Sequence, residues 1–241
     1  MLRFGLVKTS FIDYPGLIAA TLFTCGCNLR CPYCHNPELV LGEADEEMMG
    51  ADEVLRFLSL RRNVLDGVCI TGGEPLLHPG LEGFIHEVRG IGYKIKIDTN
   101  GSLPEVLETL KPDYIALDIK TLPEKYGFLL GPAVADYPGT AARIAGAVRA
   151  SAAYVIGCGI DHELRSTAAP GIFVEEDIPL LAELVRGARR YILTAMRPRL
   201  TLDPAYSAAH SPYPEETLLR MRQIFRDRGV NCFLRGEPEG P

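Results

Sequence analysis

What most constrains this chain is a rhythm. Short apolar runs fall at Ile18 to Thr24, Val68 to Thr71, Lys94 to Thr99, Tyr114 to Lys120, Leu164 to Ala168 and Tyr191 to Met196, each separated from the next by an amphipathic stretch. The clearest helix carries Leu81, Phe84, Ile85 and Val88 at i, i+3, i+4 and i+7, with Gly90 as its stop. Others repeat the pattern: Val54, Phe57 and Leu58; Val106, Leu107 and Leu110 after Pro104; and Ile144, Ala147, Val148 and Ser151. Ile178, Leu181 and Val185 follow a candidate N-cap at Asp177, and Leu218, Met221 and Phe225 run from Pro214 to Gly229. Six such strand–helix units imply an α/β fold with parallel strands and right-handed crossovers.

An open doubly wound sheet and a partial (β/α)6 barrel both satisfy that rhythm, and the placement of charge separates them. Lys96 and Asp98 share one face of their strand, Asp118 and Lys120 another, and Arg165 and Thr167 a third. Parallel sheets normally bury both faces, so charge on one face of three strands points to a wide lumen that takes a polar ligand. The alternative is that these residues sit at frayed strand ends in water. The reading adopted is a single domain over 1–241, a partial (β/α)6 barrel. The connections Leu122 to Gly139 and Pro198 to Pro214 follow strands and are expected to form the rim of the active site.

With 25 Lys and Arg against 31 Asp and Glu, the net charge of −6 argues against broad nucleic-acid binding. No apolar run approaches the roughly 18 residues of a membrane span, and the first residues lack the apolar core of a secretion signal. The expectation is a cytoplasmic protein with no membrane partner. Its seven cysteines are therefore read as reactive thiols or metal ligands before disulfides.

Three of those cysteines, Cys27, Cys31 and Cys34, form C-x3-C-x2-C directly after the first apolar run. One tight loop with this spacing can supply a thiolate to each of three irons of a four-iron four-sulfur cluster. The fourth iron, without a protein ligand, could chelate an amine and a carboxylate from outside. Zinc with His35 as fourth ligand is the rival, but adjacent side chains such as Cys34 and His35 reach one tetrahedral centre only with strain. Cys69, Cys158 and Cys232 are isolated and expected in the core; Cys25 either packs beneath the loop or competes for iron.

The cysteine loop, with Tyr33 before its last cysteine, resembles the signature of radical S-adenosylmethionine (SAM) enzymes. The longer string Ser10-Phe11-Ile12-Asp13-Tyr14-Pro15-Gly16, then Phe23-Thr24, then Gly26 through Pro37, resembles one branch, the anaerobic ribonucleoside-triphosphate reductase activating proteins. The likeness continues through Thr71-Gly72-Gly73-Glu74-Pro75, Asp98-Thr99-Asn100-Gly101, Leu117-Asp118-Ile119-Lys120 and Arg165-Ser166-Thr167, while Cys25 and Ser166 depart from the branch pattern. The resemblance implies one 4Fe-4S cluster held by Cys27, Cys31 and Cys34, and SAM as a second cofactor. It implies further that the reduced cluster cleaves SAM to methionine and a 5′-deoxyadenosyl radical, which takes a hydrogen from a backbone glycine of a glycyl radical enzyme, anaerobic ribonucleotide reductase in that branch.

On the same resemblance, Gly72, Gly73 and Glu74 are expected at the methionine amino group of SAM, the glycines letting backbone approach the ligand and Glu74 accepting from the ammonium. Asp98, Thr99 and Asn100 are expected at the methionyl moiety or ribose, and Tyr33 and His35 at the nucleoside. Asp118, Lys120 and Arg165 complete the set, with Lys120 and Arg165 either meeting a ligand carboxylate or paired to Asp118 or Glu163. No general acid or base is needed for such chemistry, so none is assigned. The span from Cys34 to Gly72 leaves no room for an inserted cluster domain, so flavodoxin or ferredoxin is expected to supply the electron. A small-molecule substrate, or a non-catalytic metal-binding module, remain the alternatives. The acidic stretch Glu43 to Glu53 and Arg186, Arg189, Arg190, Arg197 and Arg199 read as solvated faces, although Arg197 and Arg199 lie on the ligand side and could meet an anionic partner.

Overall fold

The computed structural model describes residues 2–43, 48–131, 139–197 and 201–237. It divides into two compact units: Met1–Asn28, Asn36–Thr99 and Glu105–Ala116 form the first, and Leu29–His35, Asn100–Pro104 and Leu117–Pro241 the second.

The strands of the first unit are β1 (Arg3–Ser10), β2 (Ala19–Thr24), β3 (Met49–Gly50), β4 (Gly67–Gly72) and β5 (Lys94–Thr99), in the order β3-β1-β2-β4-β5. Pairing is parallel from β2 to β4 (Ala20↔Val68) and from β4 to β5 (Val68↔Ile95). These strands are buried along most of their length, as expected of strands covered on both faces. The parallel rhythm is incomplete at one edge, because β1 runs antiparallel to both β2 and β3. Its alternation is broken by Gly5 and Lys8, which hides it from a search for apolar runs.

Helices α1 (Pro37–Leu41), α2 (Ala51–Leu60) and α3 (Leu81–Ile91) follow the strands of this unit. The buried face of α3 is Leu81, Phe84, Ile85 and Val88, and Phe84 meets the Phe4 ring of β1 at 4.6 Å between centroids. Burial of four such side chains contributes about 6–12 kcal/mol before chain entropy is counted. The helix ends at Gly92, not at Gly90: Gly92 takes the left-handed conformation at φ 102° and donates its N–H to the last carbonyls. Helix α4 (Pro104–Leu110) begins at its proline as expected, and β6 (Tyr114–Asp118) stops two residues before Lys120.

The second unit has parallel strands β7 (Asp161–Ala168), β8 (Tyr191–Ala195) and β9 (Cys232–Leu234), with Leu164↔Tyr191 and Tyr191↔Cys232 in register. Around them run α5 (Thr140–Gly157), α6 (Ile178–Val185), α7 (Pro204–Ala209) and α8 (Glu215–Arg226). Phe225 of α8 packs on Tyr191 and Phe173 at 4.7 and 6.4 Å. Asp177 stands before α6 but does not cap it; its carboxylate binds Lys125 Nζ at 2.5 Å. Cys69 and Cys232 are buried as expected, whereas Cys158 is only half-buried at the end of α5.

The two long connections are partly structured. Pro123–Leu129 coils into a 3-10 segment that buries Tyr126 and Leu129, and the second connection contains α7. Residues 132–138 and 198–200, with Arg199 among them, and 44–47 of the acidic stretch lie outside the described residues. Among the described residues no helix is long and apolar enough to cross a membrane.

Candidate functional site

In the first unit the carboxyl end of β2 leads into Cys25, Gly26 and Cys27, and the carboxyl end of β4 into Gly72, Gly73 and Glu74. Backbone hydrogen bonds join these ends: Gly73 N–H donates to Thr24 O and Glu74 N–H to Gly26 O, each at 2.9 Å. A Cβ on Gly72 would come within 2.4 Å of Thr24 N, and one on Gly73 within 1.9 Å of Gly26 O. Close approach of the protein's own backbone thus requires glycine at both positions.

Glu74 is fully buried. Its Oε1 accepts from Thr99 Oγ1 at 2.8 Å and from Leu76 N–H at 3.2 Å, so the acid ties the end of β5 to the turn after β4. On the opposite face of β5, Lys96 Nζ bonds to Asp98 Oδ1, with the Cys69 thiol beside both. The side chain of Asp98 keeps 13% of its surface open, whereas Lys96 keeps 2%.

In the second unit Cys31 and Cys34 lie in one turn, closed by Cys34 N–H to Cys31 O at 2.9 Å with Pro32 between them. Neighbouring chain pins this turn: Arg30 N–H reaches Leu129 O at 2.7 Å, Leu202 N–H reaches Cys34 O at 2.9 Å and Asp203 N–H reaches Pro32 O at 3.0 Å. Tyr33 is buried beside Cys31. Burial, with Cys31 nearby, pushes its pKa well above that of a free phenol. Burial also lowers the pKa of His35, helped by the positive charges of Arg197 and Lys120.

Asn100 is buried and its Oδ1 accepts from Ser102 N–H at 3.0 Å, forming the Asx turn that an Asn-Gly pair favours. Asp118 gathers two cations, Lys120 Nζ at 2.9 Å and Arg165 Nε at 2.7 Å. Burial alone would raise the Asp118 pKa, but Arg165 and Lys120 outweigh it and hold the carboxyl well below the usual carboxylate range. Lys120 is raised in turn, the Asp118 charge overcoming the cost of burial. Of the two expectations for Lys120 and Arg165, the internal pairing is formed. Below it, Ser166 Oγ donates to Ile119 O at 2.5 Å and meets the Tyr191 hydroxyl at 2.6 Å.

A cleft of about 270 Å³ opens in this unit, lined in part by His35, Asp118, Arg165, Thr194, Arg197 and Arg235. Thr194 and Arg235 escaped sequence reading. Thr194 could have been found from its place near the end of β8, since α/β folds bind ligands at strand carboxyl ends; Arg235 follows a strand too short to recognise.

All seven cysteines are free thiols, so Cys27, Cys31 and Cys34 remain available as thiolate donors. Soft sulfur ligands in C-x3-C-x2-C spacing fit an iron–sulfur cluster, and the buried Tyr33 hydroxyl lies in the same loop. Among the described residues no three His, Cys, Asp or Glu side chains are gathered ready to hold a metal ion. The fit therefore stands on the donor set and its spacing.

A family profile described as the Radical SAM superfamily matches residues 21–161. The chain is 30% identical over 226 residues to a Methanocaldococcus jannaschii protein provisionally named as a glycyl-radical enzyme activating enzyme, covering 90% of this chain and 88% of that one. It is also 33% identical over 135 residues to 7-carboxy-7-deazaguanine synthase of Methanopyrus kandleri, and 33% over 123 residues to pyruvate formate-lyase-activating enzyme of Staphylococcus aureus. These matches cover 47% and 45% of this chain, and 51% and 49%, about half, of each relative's length. Among solved structures, Streptococcus suis SuiB bound to S-adenosylmethionine shares the fold with a TM-score of 0.64 at 20% identity, over 88% of this chain and 49% of SuiB. The expected α/β class with parallel strands is borne out. A profile spanning more than half of the chain, and a relative aligned over nearly its whole length, place this protein in the radical SAM superfamily, whose members bind a 4Fe-4S cluster and SAM.

Proposed function

We propose that this chain is a single-domain activase that installs a glycyl radical on a partner enzyme, anaerobic ribonucleotide reductase being the first candidate. The observation that carries this reading is the near end-to-end alignment with the provisionally named activating enzyme, at 90% and 88% coverage. Cys27, Cys31 and Cys34 would hold the cluster and leave one iron without a protein ligand. A bound, reduced cluster would supply the one electron that breaks the C–S bond of SAM into methionine and a 5′-deoxyadenosyl radical, and that radical would take a hydrogen from a glycine to give 5′-deoxyadenosine and the glycyl radical.

The chain's own residues bind, orient and exclude water. Gly72, Gly73 and Glu74 would border the methionine amino group, with Glu74 also acting as an internal clamp on Thr99. Asp98, Thr99 and Asn100 would meet the methionyl moiety or ribose, and Tyr33 and His35 the nucleoside. Asp118, Lys120 and Arg165, already joined to one another, would present an ordered polar wall that pays no reorganisation cost when ligand arrives. Flavodoxin or ferredoxin would deliver the electron. Free thiols throughout suit a reducing cytoplasm.

The test is anaerobic incubation of reconstituted, reduced protein with SAM and candidate glycyl radical enzymes, read by electron paramagnetic resonance. A glycine-centred doublet on the partner supports the proposal, and Cys31→Ala should lose both the brown chromophore and 5′-deoxyadenosine release. The half-length likeness to 7-carboxy-7-deazaguanine synthase favours a second reading, in which a small molecule receives the radical. Cleavage of SAM with no radical on any partner would shift the assignment there, and an absence of cleavage would leave only a metal-binding module.

A further inference from the structure

Lys96 is the least expected residue in the core of the first unit. It stands inside β5 with 1% of its surface exposed, where a valine or isoleucine would bury no charge. Register explains its neighbours. Lys96 is the Cα partner of Cys69 on β4, so its Nζ reaches Cys69 Sγ at 3.7 Å. The same ammonium lies 5.9 Å from the Tyr114 ring centroid and bonds to Oδ1 of Asp98, two residues along the same face.

A buried ion pair is weak evidence for stability, because the desolvation of two charges offsets most of their attraction. Geometry is what this pair secures. Asp98 is the outer member, and its Oδ1 receives both the ammonium and the Cys69 thiol, the latter at 3.8 Å. Rotating the carboxylate would pull that oxygen away from two donors at once.

We propose that Lys96 is a positioning residue: its buried ammonium fixes the orientation of the Asp98 carboxylate at the carboxyl end of β5, and through it sets the affinity of the protein for SAM. This rests on the reading of Asp98 as a SAM contact.

Calorimetric titration of SAM into anaerobic, cluster-reconstituted protein tests it, with the cluster left oxidised so that no cleavage occurs. Lys96→Met should raise the dissociation constant at least about tenfold, or about 1.4 kcal/mol. Lys96→Arg, which keeps a cationic donor, should recover most of that loss. Asp98→Asn should lose a similar factor, and the double variant Lys96→Met with Asp98→Asn should be no worse than either alone. In turnover assays the Lys96→Met defect should fall on KM for SAM with kcat little changed, a split that general destabilisation does not produce. A folded Lys96→Met protein binding SAM within about twofold of wild type, while Asp98→Asn loses tenfold, would overturn the proposal and leave the reading of Asp98 intact. Wild-type affinity in Asp98→Asn would instead remove the reading on which it rests. Should Lys96→Met fail to fold, Lys96→Gln is measured in the same way; failure of both would make Lys96 a folding requirement and end the positioning role.

Discussion

Gly73→Ala subjects the junction of the cysteine loop and the Gly-Gly-Glu turn to the smallest possible change. The added Cβ would lie 1.9 Å from Gly26 O and 2.6 Å from Gly26 C, where real Cβ contacts essentially never fall below 3.0 Å. Both neighbours are backbone, so no side chain can swing aside and one segment must retreat by about 1 Å. Such a shift stretches the 2.9 Å bonds from Gly73 N–H to Thr24 O and from Glu74 N–H to Gly26 O beyond hydrogen-bonding range. Two lost bonds cost about 1–3 kcal/mol, and the strain of overpacking about 1–3 kcal/mol more. A central value of about 4 kcal/mol corresponds to a fall in melting temperature of about 8–16 °C for a chain of this size. Thermal denaturation followed by circular dichroism measures it. Gly146→Ala is the matched control: that glycine is exposed inside α5, its added Cβ meets nothing within 4 Å, and helix propensity predicts a gain of about 0.5–1 kcal/mol. If Gly73→Ala melts within about 1 °C of wild type while the control behaves as stated, the requirement for glycine at this junction is refuted.

Three further outcomes follow from side-chain contacts in the second unit. Asp118→Asn should cost about 2–3 kcal/mol near pH 7, since it strips Lys120 and Arg165 of a partly buried partner. Because the folded pKa of Asp118 is depressed, its contribution is complete above the unfolded value of about 3.9 and is lost as pH falls toward the folded value; the urea-unfolding gap between wild type and Asp118→Asn should narrow below about pH 4, and a constant gap would contradict the pairing. Ser166→Ala leaves the Ile119 carbonyl and the Tyr191 hydroxyl without this bridge, and should lower the unfolding free energy by about 1–3 kcal/mol; a change below about 0.5 kcal/mol would mean the two groups find other partners. Burial pushes the Cys232 thiol up to about 12, against the opposing pull of Arg226 and Arg222, so alkylation at pH 8 followed by mass spectrometry should label it far more slowly than the half-buried Cys158 until denaturant is added; equal rates would refute its enclosure.

Features carried by local pattern were legible in the sequence. The residues of β5 were read to their bounds because Ile95 and Ile97 alternate with Lys96 and Asp98, and the buried stripe of α3 because its period is helical. Features decided by distant partners were not. Asp177 looks like a helix cap, but Lys125, 52 residues away, claims its carboxylate. Gly90 reads as the helix stop in sequence; the left-handed φ of Gly92 puts the end two residues later. Strands β1 and β9 escape the search for apolar runs because one is interrupted by Gly5 and Lys8 and the other has three residues. Gly72 and Gly73 were recognised as sites of close approach, yet only the fold reveals that Thr24 and Gly26 are what they approach.

The three carboxylates proposed to meet SAM are also held by donors within their own unit, and this changes what substitution reports. Glu74 and Asp98 in the first unit, and Asp118 in the second, each accept from at least two donors: Glu74 from Thr99 and Leu76, Asp98 from Lys96 and Cys69, Asp118 from Lys120 and Arg165. A carboxylate held at a strand end must satisfy its lone pairs or forfeit solvation, and doing so internally locks its rotamer before ligand arrives. Removing any of the three therefore releases its donors as well as any contact with ligand, so loss of affinity on alanine substitution overstates direct recognition. Glu74→Gln separates the two effects, because an amide oxygen at the Oε1 position still accepts from Thr99 and Leu76 while the negative charge is gone. If SAM binding weakens in that variant with the melting temperature unchanged, Glu74 acts on the ligand by its charge; if binding survives, the acid serves the turn, and recognition of the methionine ammonium falls to backbone carbonyls around it.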